Sequence, residues 1–204
     1  MKPITRVAPW GLAAVRTAFV LSPNASAGDR DHLNGFFLRL SAGVGAASTE
    51  IEAMNTKVKF SGPAGDLNFA IGAIVAPNLA LHGTLFGWSM TNPDAEVGNA
   101  EGELDGDLTL GAVGVGLTYY LMPANVYLSG SVGLGSLTLE ADDMDLESDN
   151  GVVIDLTIGK EWWVGRNWGL GVAGSLGLHS IPDPDVDENW SGPSVAVRFS
   201  ATMN

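Results

Sequence analysis

Apolar residues recur at every second position in eight separate runs between residues 36 and 201. A strand sends successive side chains to opposite faces, so this period commits the chain to β-structure. In the first run Phe36, Leu38, Leu40, Ala42, Val44 and Ala46 share one face, and Phe37, Arg39, Ser41, Gly43 and Gly45 share the other. A helix would mix these two sets. The same alternation returns over residues 67–75, 79–86, 113–121, 126–134, 152–158, 168–178 and 195–201.

The links between runs alternate as regularly as the residues within them. Three are tight, at Ala76-Pro77-Asn78, Met122-Pro123-Ala124-Asn125 and Gly165-Arg166-Asn167. Pro and Asn favour turn dihedrals, so these are expected to be hairpin turns. The other four are long, at about 48–64, 89–107, 140–151 and 180–192, and are expected to be loops. In a closed antiparallel sheet this order gathers the short turns and both chain ends at one rim, and the long links at the other. Charge follows the same division. All of the 23 acidic residues except Asp29, Asp31, Asp66, Asp155 and Glu161 lie in the long links.

Alternation alone would also fit a soluble sandwich or barrel, whose apolar face points inward. Residue size decides between them. The uniformly apolar face carries Leu, Val, Ile and Phe, whereas the other is dominated by Gly, Ala, Ser and Thr. An eight-stranded barrel has an interior just wide enough to be filled by side chains, and small residues suit it. Large aliphatic residues suit lipid. Tyr119, Trp162 and Trp168 near the short turns, with Phe36 and Phe199 near the chain ends, supply an interfacial aromatic girdle. The predicted fold is therefore all-β, an eight-stranded antiparallel up-and-down transmembrane β-barrel. Its small-residue face carries Arg39, Asp66, Asp155, Glu161 and Arg198, which can pair away from lipid. The expectation is a lumen charge cluster of Arg39, Asp155, Glu161 and Arg198, with Arg39, Glu161 and Arg198 meeting near the short turns. Such a cluster serves either lumen packing or the handling of protons and ions.

Residues 1–27 have the layout of a signal peptide, with Lys2 and Arg6 ahead of a mostly apolar stretch and Ala25-Ser26-Ala27 as the cleavage signal. Arg16 and Pro9 interrupt the stretch, which leaves an amphipathic helix as the alternative reading. Cleavage after Ala27 would leave residues 28–204 as the barrel domain. Ten Lys and Arg against 23 Asp and Glu exclude a nucleic-acid binder, which needs a basic footprint. With no cysteine there is no disulfide, thiolate metal site or Cys nucleophile, and no cofactor is implied.

The stretch Tyr119-Tyr120-Leu121-Met122-Pro123-Ala124-Asn125-Val126-Tyr127-Leu128-Ser129-Gly130 resembles a periplasmic hairpin of bacterial outer-membrane β-barrel domains. As a pattern, the chain from residue 28 onward is similar to small barrels of the OmpA/OmpX and OmpW types. The resemblance implies a place in the Gram-negative cell outer membrane, with the lipid bilayer as solvent and insertion by the barrel-assembly machinery. It also implies extracellular long loops and periplasmic chain ends.

Three constellations invite chemical readings. Gly169-Leu170-Gly171-Val172-Ala173-Gly174 spells a dinucleotide fingerprint, but it lies inside a predicted strand with no helix after it, which removes that meaning. His179 and Ser180, close to Asp183, Asp185 and Asp187, hold the residue types of an acyl hydrolase or transferase. Some barrels of the resembled type modify lipid A. His82 and Thr84 form a second pair of this kind. Asp142, Asp143 and Asp145 are candidate metal ligands, though residues 140–149 lack the glycine and terminal glutamate of an EF-hand loop. The acidic loops could also bridge to lipopolysaccharide through divalent cations. The sequence thus favours a structural or surface-interaction barrel whose acidic loops are its working surface. A narrow porin-like conduit for small or apolar solutes and a lipid-modifying enzyme are the alternatives.

Overall fold

The computed structural model describes His32 and residues 35–53, 56–141, 144–184 and 186–203. The predicted signal peptide, residues 1–27, lies outside the described residues. The strands are β1 (Gly35–Ala53), β2 (Thr56–Ala76), β3 (Leu79–Thr91), β4 (Asp94–Val97), β5 (Ala100–Glu103), β6 (Asp107–Leu121), β7 (Val126–Ala141), β8 (Met144–Glu147), β9 (Gly151–Trp163), β10 (Trp168–Pro182) and β11 (Asn189–Met203). Eight of them, β1, β2, β3, β6, β7, β9, β10 and β11, pair antiparallel in that order, and β11 pairs back onto β1. The sheet closes, so hydrocarbon meets no open strand edge around the ring. The fold is the predicted transmembrane barrel.

Side chains divide between its faces as their sizes predict. Val44, Leu67, Val113, Leu134, Ile158 and Phe199 stand on the outside, Val44 and Phe199 being 74% and 71% exposed. Tyr119, Trp162 and Trp168 also face outward. Inside, strands carry glycine where a partner's side chain must cross. A Cβ at Gly159 would land on the Tyr127 ring, so alanine there would displace a buried aromatic residue. The turns are short as expected, and Asn78 and Asn125 occupy the left-handed region, with φ of 62° and 49°. Asn tolerates that region better than most residues.

Strand pairing runs into all four long links, which corrects the sequence-based boundaries. β1 and β2 stay paired up to Ala53 and Thr56, and β10 and β11 up to Pro182 and Asn189. The third long link continues β7 to Ala141 and adds β8 against it. The second contains the β4–β5 hairpin, which pairs on β2. Polar composition had suggested loops, but Ser, Thr, Val and Lys at these positions form a ladder whose outer face meets water.

This ladder begins where the outer face of the strands turns from apolar to polar. Along β3 the apolar residues switch face within one strand, from outward Leu81 and Leu85 to inward Phe86, Trp88 and Met90. β6 does the same between inward Leu108 and Leu110 and outward Val113, Val115 and Leu117, and its register with β3 runs unbroken through the switch. On β7, Leu128, Val132 and Leu134 face out, whereas Leu137 is buried inside. The outward positions beyond the switch become polar, as with Ser89 and Thr109, which hydrogen-bond each other at 2.8 Å on the exposed face. Toward the short turns the barrel is apolar outside, as a bilayer requires. Beyond the switch the same strands build an apolar interior under a polar coat, the arrangement of a soluble β-barrel.

Candidate functional site

The lumen is filled at three levels. Nearest the short turns, Arg39 of β1 donates from Nη2 to Tyr120 Oη (2.8 Å), from Nε to Thr202 Oγ1 (3.3 Å) and from Nη1 to Thr118 Oγ1 (3.4 Å). Glu161 Oε1 lies 3.5 Å from its Nε. The guanidinium also lies 3.9 Å from the centre of the Tyr127 ring and 5.2 Å from that of Phe37. Glu161 in turn accepts hydrogen bonds from Thr202 Oγ1 (2.7 Å) and Tyr120 Oη (3.3 Å). Charge, hydrogen bonds and ring faces all converge on one cation.

Arg198 of β11 forms the second level and binds two carboxylates. Its Nε and Nη2 grip both oxygens of Asp66, the Nη2 bond being 2.9 Å. Nη1 and Nη2 donate to Asp155 Oδ1 and Oδ2 at 3.0 and 2.7 Å. Thr157 completes the group, accepting from Nη1 and donating to Asp155 Oδ1, both at 3.0 Å. The reach depends on Gly43, which pairs with Asp66 on one side and Arg198 on the other. A Cβ at Gly43 would collide with the Arg198 side chain and the Val197 carbonyl.

These contacts split the expected cluster. Arg39 meets Glu161, while Arg198 meets Asp155 and Asp66 instead of Glu161. The cause is register. Arg39 pairs with Thr202 and Arg198 with Gly43, so the two cations are offset by four residues, about 13 Å along β1.

The third level is apolar. Phe86, Trp88, Met90, Leu108, Leu110, Leu137, Val153 and Ile181 form one cluster, within which Met90 and Ile181 are wholly buried. Phe60 and Trp190 stack beside it, with ring centres 5.8 Å apart. Between this plug and the Arg198 group lies a cavity of about 10 Å³ bordered by Asp66, Asp155, Arg198, Trp88 and His179. That volume holds about one water molecule.

The candidate catalytic residues do not assemble. His179 points inward and its Nε2 shares a hydrogen bond with Thr49 Oγ1 at 2.8 Å. Ser180 is the next residue on the strand, so it projects to the opposite face, where it accepts from Asn189 Nδ2 at 3.2 Å. Asp183 accepts from Trp190 Nε1 at 2.8 Å. Of the second pair, His82 Nε2 shares a hydrogen bond with Thr118 Oγ1 (3.0 Å), and Thr84 donates to the Phe69 carbonyl (3.0 Å). Neither His activates a serine. Ser180→Ala is therefore expected to leave the folded barrel unchanged in heat-modifiable gel mobility, while His179→Ala loosens the plug and lowers the temperature at which mobility shifts.

At the rim away from the short turns the surface is acidic. An open cleft of about 580 Å³ is lined by Asp149, Asp183, Asp187 and Glu188, with Pro182 and Asn189 beside them. Asp142 and Asp143 lie outside the described residues, and Asp145 sits on β8. Among the described residues no three potential metal ligands come together. Lys57 and Lys59 bridge to Glu50 (2.8 Å) and Glu96 (3.2 Å) on this rim. The hydrogen bond that Lys57 donates to Glu50 raises the pKa of Lys57 above its ordinary value, although the exposed pair is screened by water.

The wall-to-wall networks were signalled by isolated charges on the small-residue face, and the apolar plug by the switch of apolar phase along β3, β6 and β7. His32, which also joins the barrel, gave no such signal.

No family model matches this sequence, and no curated protein matches it. Among solved structures the chain is similar to Neisserial surface protein A, at 12% identity over 86% of this chain and 99% of that one, with a TM-score of 0.57. It also aligns with the outer membrane protein OprG from Pseudomonas aeruginosa, at 16% identity over 85% and 98% of the two chains, with a TM-score of 0.46. At such identities the likeness to the surface protein is one of fold.

Proposed function

We propose that the chain is an outer-membrane barrel with a shut lumen, whose structural or surface-interaction role is carried by the rigid acidic extension beyond the bilayer. The observation that carries this reading is the filling of the lumen at three levels. Eight strands leave little room, and Arg39, Arg198 and the Trp88–Met90 plug use what there is. A solute path would need all three to move. The work then falls on the long-link rim, where most of the described acidic residues sit on paired strands and Asp149, Asp183, Asp187 and Glu188 line the open cleft between them. Such a surface repels the phosphates of lipopolysaccharide unless divalent cations intervene, and it attracts basic partners. In this reading the long-link rim faces the outside and the short turns face the periplasm. The barrel-assembly machinery inserts the chain after removal of residues 1–27.

Cysteine labelling tests the orientation, because the chain has no cysteine of its own. Asn99→Cys, on the β4–β5 tip, should react with an impermeant maleimide on whole cells, and Asn167→Cys, on the third short turn, only after lysis. The reverse pattern would invert the topology. Purified protein in a planar bilayer should give no stepwise conductance. Regular current steps would replace this reading with the conduit.

A further inference from the structure

His32 stands ahead of β1 and is nonetheless 4% exposed. Its amide N–H donates to Asn78 Oδ1 (3.0 Å), and its carbonyl accepts from the Asn78 amide (2.7 Å). One residue of the first short turn thus satisfies its whole backbone. Its ring stacks on Tyr120, with centres 3.7 Å apart and planes at 16°, and lies 5.3 Å from the Trp163 ring. Its Nε2 hydrogen-bonds Asn125 Oδ1 at 3.0 Å, while Asn125 Nδ2 donates to the Glu161 carbonyl at 3.3 Å. Two turns and two strands therefore hold one histidine across the short-turn mouth.

We propose that His32 is a latch that seals this mouth over the floor of the lumen. The stacking covers Tyr120, which is fully buried and supports both Arg39 and Glu161. Without that cover, water would enter the lower network from the short-turn side. Asn78 and Asn125 serve two ends at once. Their left-handed backbone closes the turns, and their side-chain amides receive the latch. The proposal concerns the end of the barrel opposite the acidic rim, so it stands or falls apart from the function proposed above.

Thiol accessibility tests it. Ser200 is buried inside β11 between the two arginine networks, and Ser200→Cys supplies a single thiol. In folded protein that thiol should react slowly with a small charged methanethiosulfonate. Adding His32→Ala should speed the reaction about tenfold or more, as expected when a local closure is lost. Heat-modifiable mobility checks that the barrel is still formed. Should His32→Ala fail to fold, His32→Gln, which keeps an amide donor but loses the stack, and His32→Phe, which keeps the stack, replace it. Faster labelling in any folded variant supports the latch, with His32→Phe expected to be the slower of the last two. Unchanged rates in every folded variant would overturn it.

Discussion

Replacing Arg198 by methionine should destabilise the barrel by about 3–5 kcal/mol, the cost of breaking a buried ion pair by removing one partner. The figure is a floor, because the loss strands two carboxylates rather than one. Asp66 and Asp155 would then face each other across a narrow lumen, with Thr157 left as the neutral donor of the group. The measurement is urea unfolding of the protein in lipid vesicles, followed by gel mobility without boiling. A second variant separates the charge from the packing. Arg198→Met combined with Asp66→Leu and Asp155→Leu removes every charge of the group and should recover most of the lost stability, since a buried ionic cluster rarely exceeds a well-packed apolar one. Gly43→Val should resemble the single variant by forcing the arginine away from Asp66. If Arg198→Met unfolds at the wild-type urea concentration, the crossing contributes nothing to holding β2, β9 and β11 together.

The sequence made the ring legible because each transmembrane run obeys one period and one division of sizes. Phe36, Leu40 and Val44 need no partner to declare their face, and Pro77-Asn78 declares the turn. The charge contacts were less legible. Residue type placed Arg39, Asp155, Glu161 and Arg198 inside, but their heights depend on the stagger between strands, which no local pattern records. An offset of four residues was enough to give Arg198 to Asp66. His179 and Ser180 misled for the opposite reason. Adjacent residues look close in sequence, yet a strand separates their side chains to its two faces. The extension beyond the bilayer was visible in principle. In β3 the apolar residues change from odd to even positions at Leu85 and Phe86, and polarity of the outward residues disguised this as the start of a loop.

That change of phase makes the sharpest prediction about the membrane boundary. Lysine should be costly at Val115 and cheap at Thr109, although both residues lie on the outer face of the same strand. Val115 sits in the apolar belt, where a lysine near the midplane costs about 2–4 kcal/mol, whereas near the interface the cost falls to about 0–1 kcal/mol. Thr109 lies beyond the switch beside Ser89, already in a polar setting. Between them, Leu110 points inward into the plug and is 2% exposed, so Leu110→Ala should cost about 2–5 kcal/mol by leaving a cavity. Three substitutions within seven positions should therefore run large, large and near zero for Val115→Lys, Leu110→Ala and Thr109→Lys. Unfolding each variant in lipid vesicles gives the order directly. Equal costs at Thr109 and Val115 would mean that the bilayer extends over both, and that the apolar interior of the extension lies within the membrane. The predicted order requires instead that hydrophobic burial change sides at the interface. Lipid then solvates the outside of the lower barrel, and water drives the same strands to bury their interior above it.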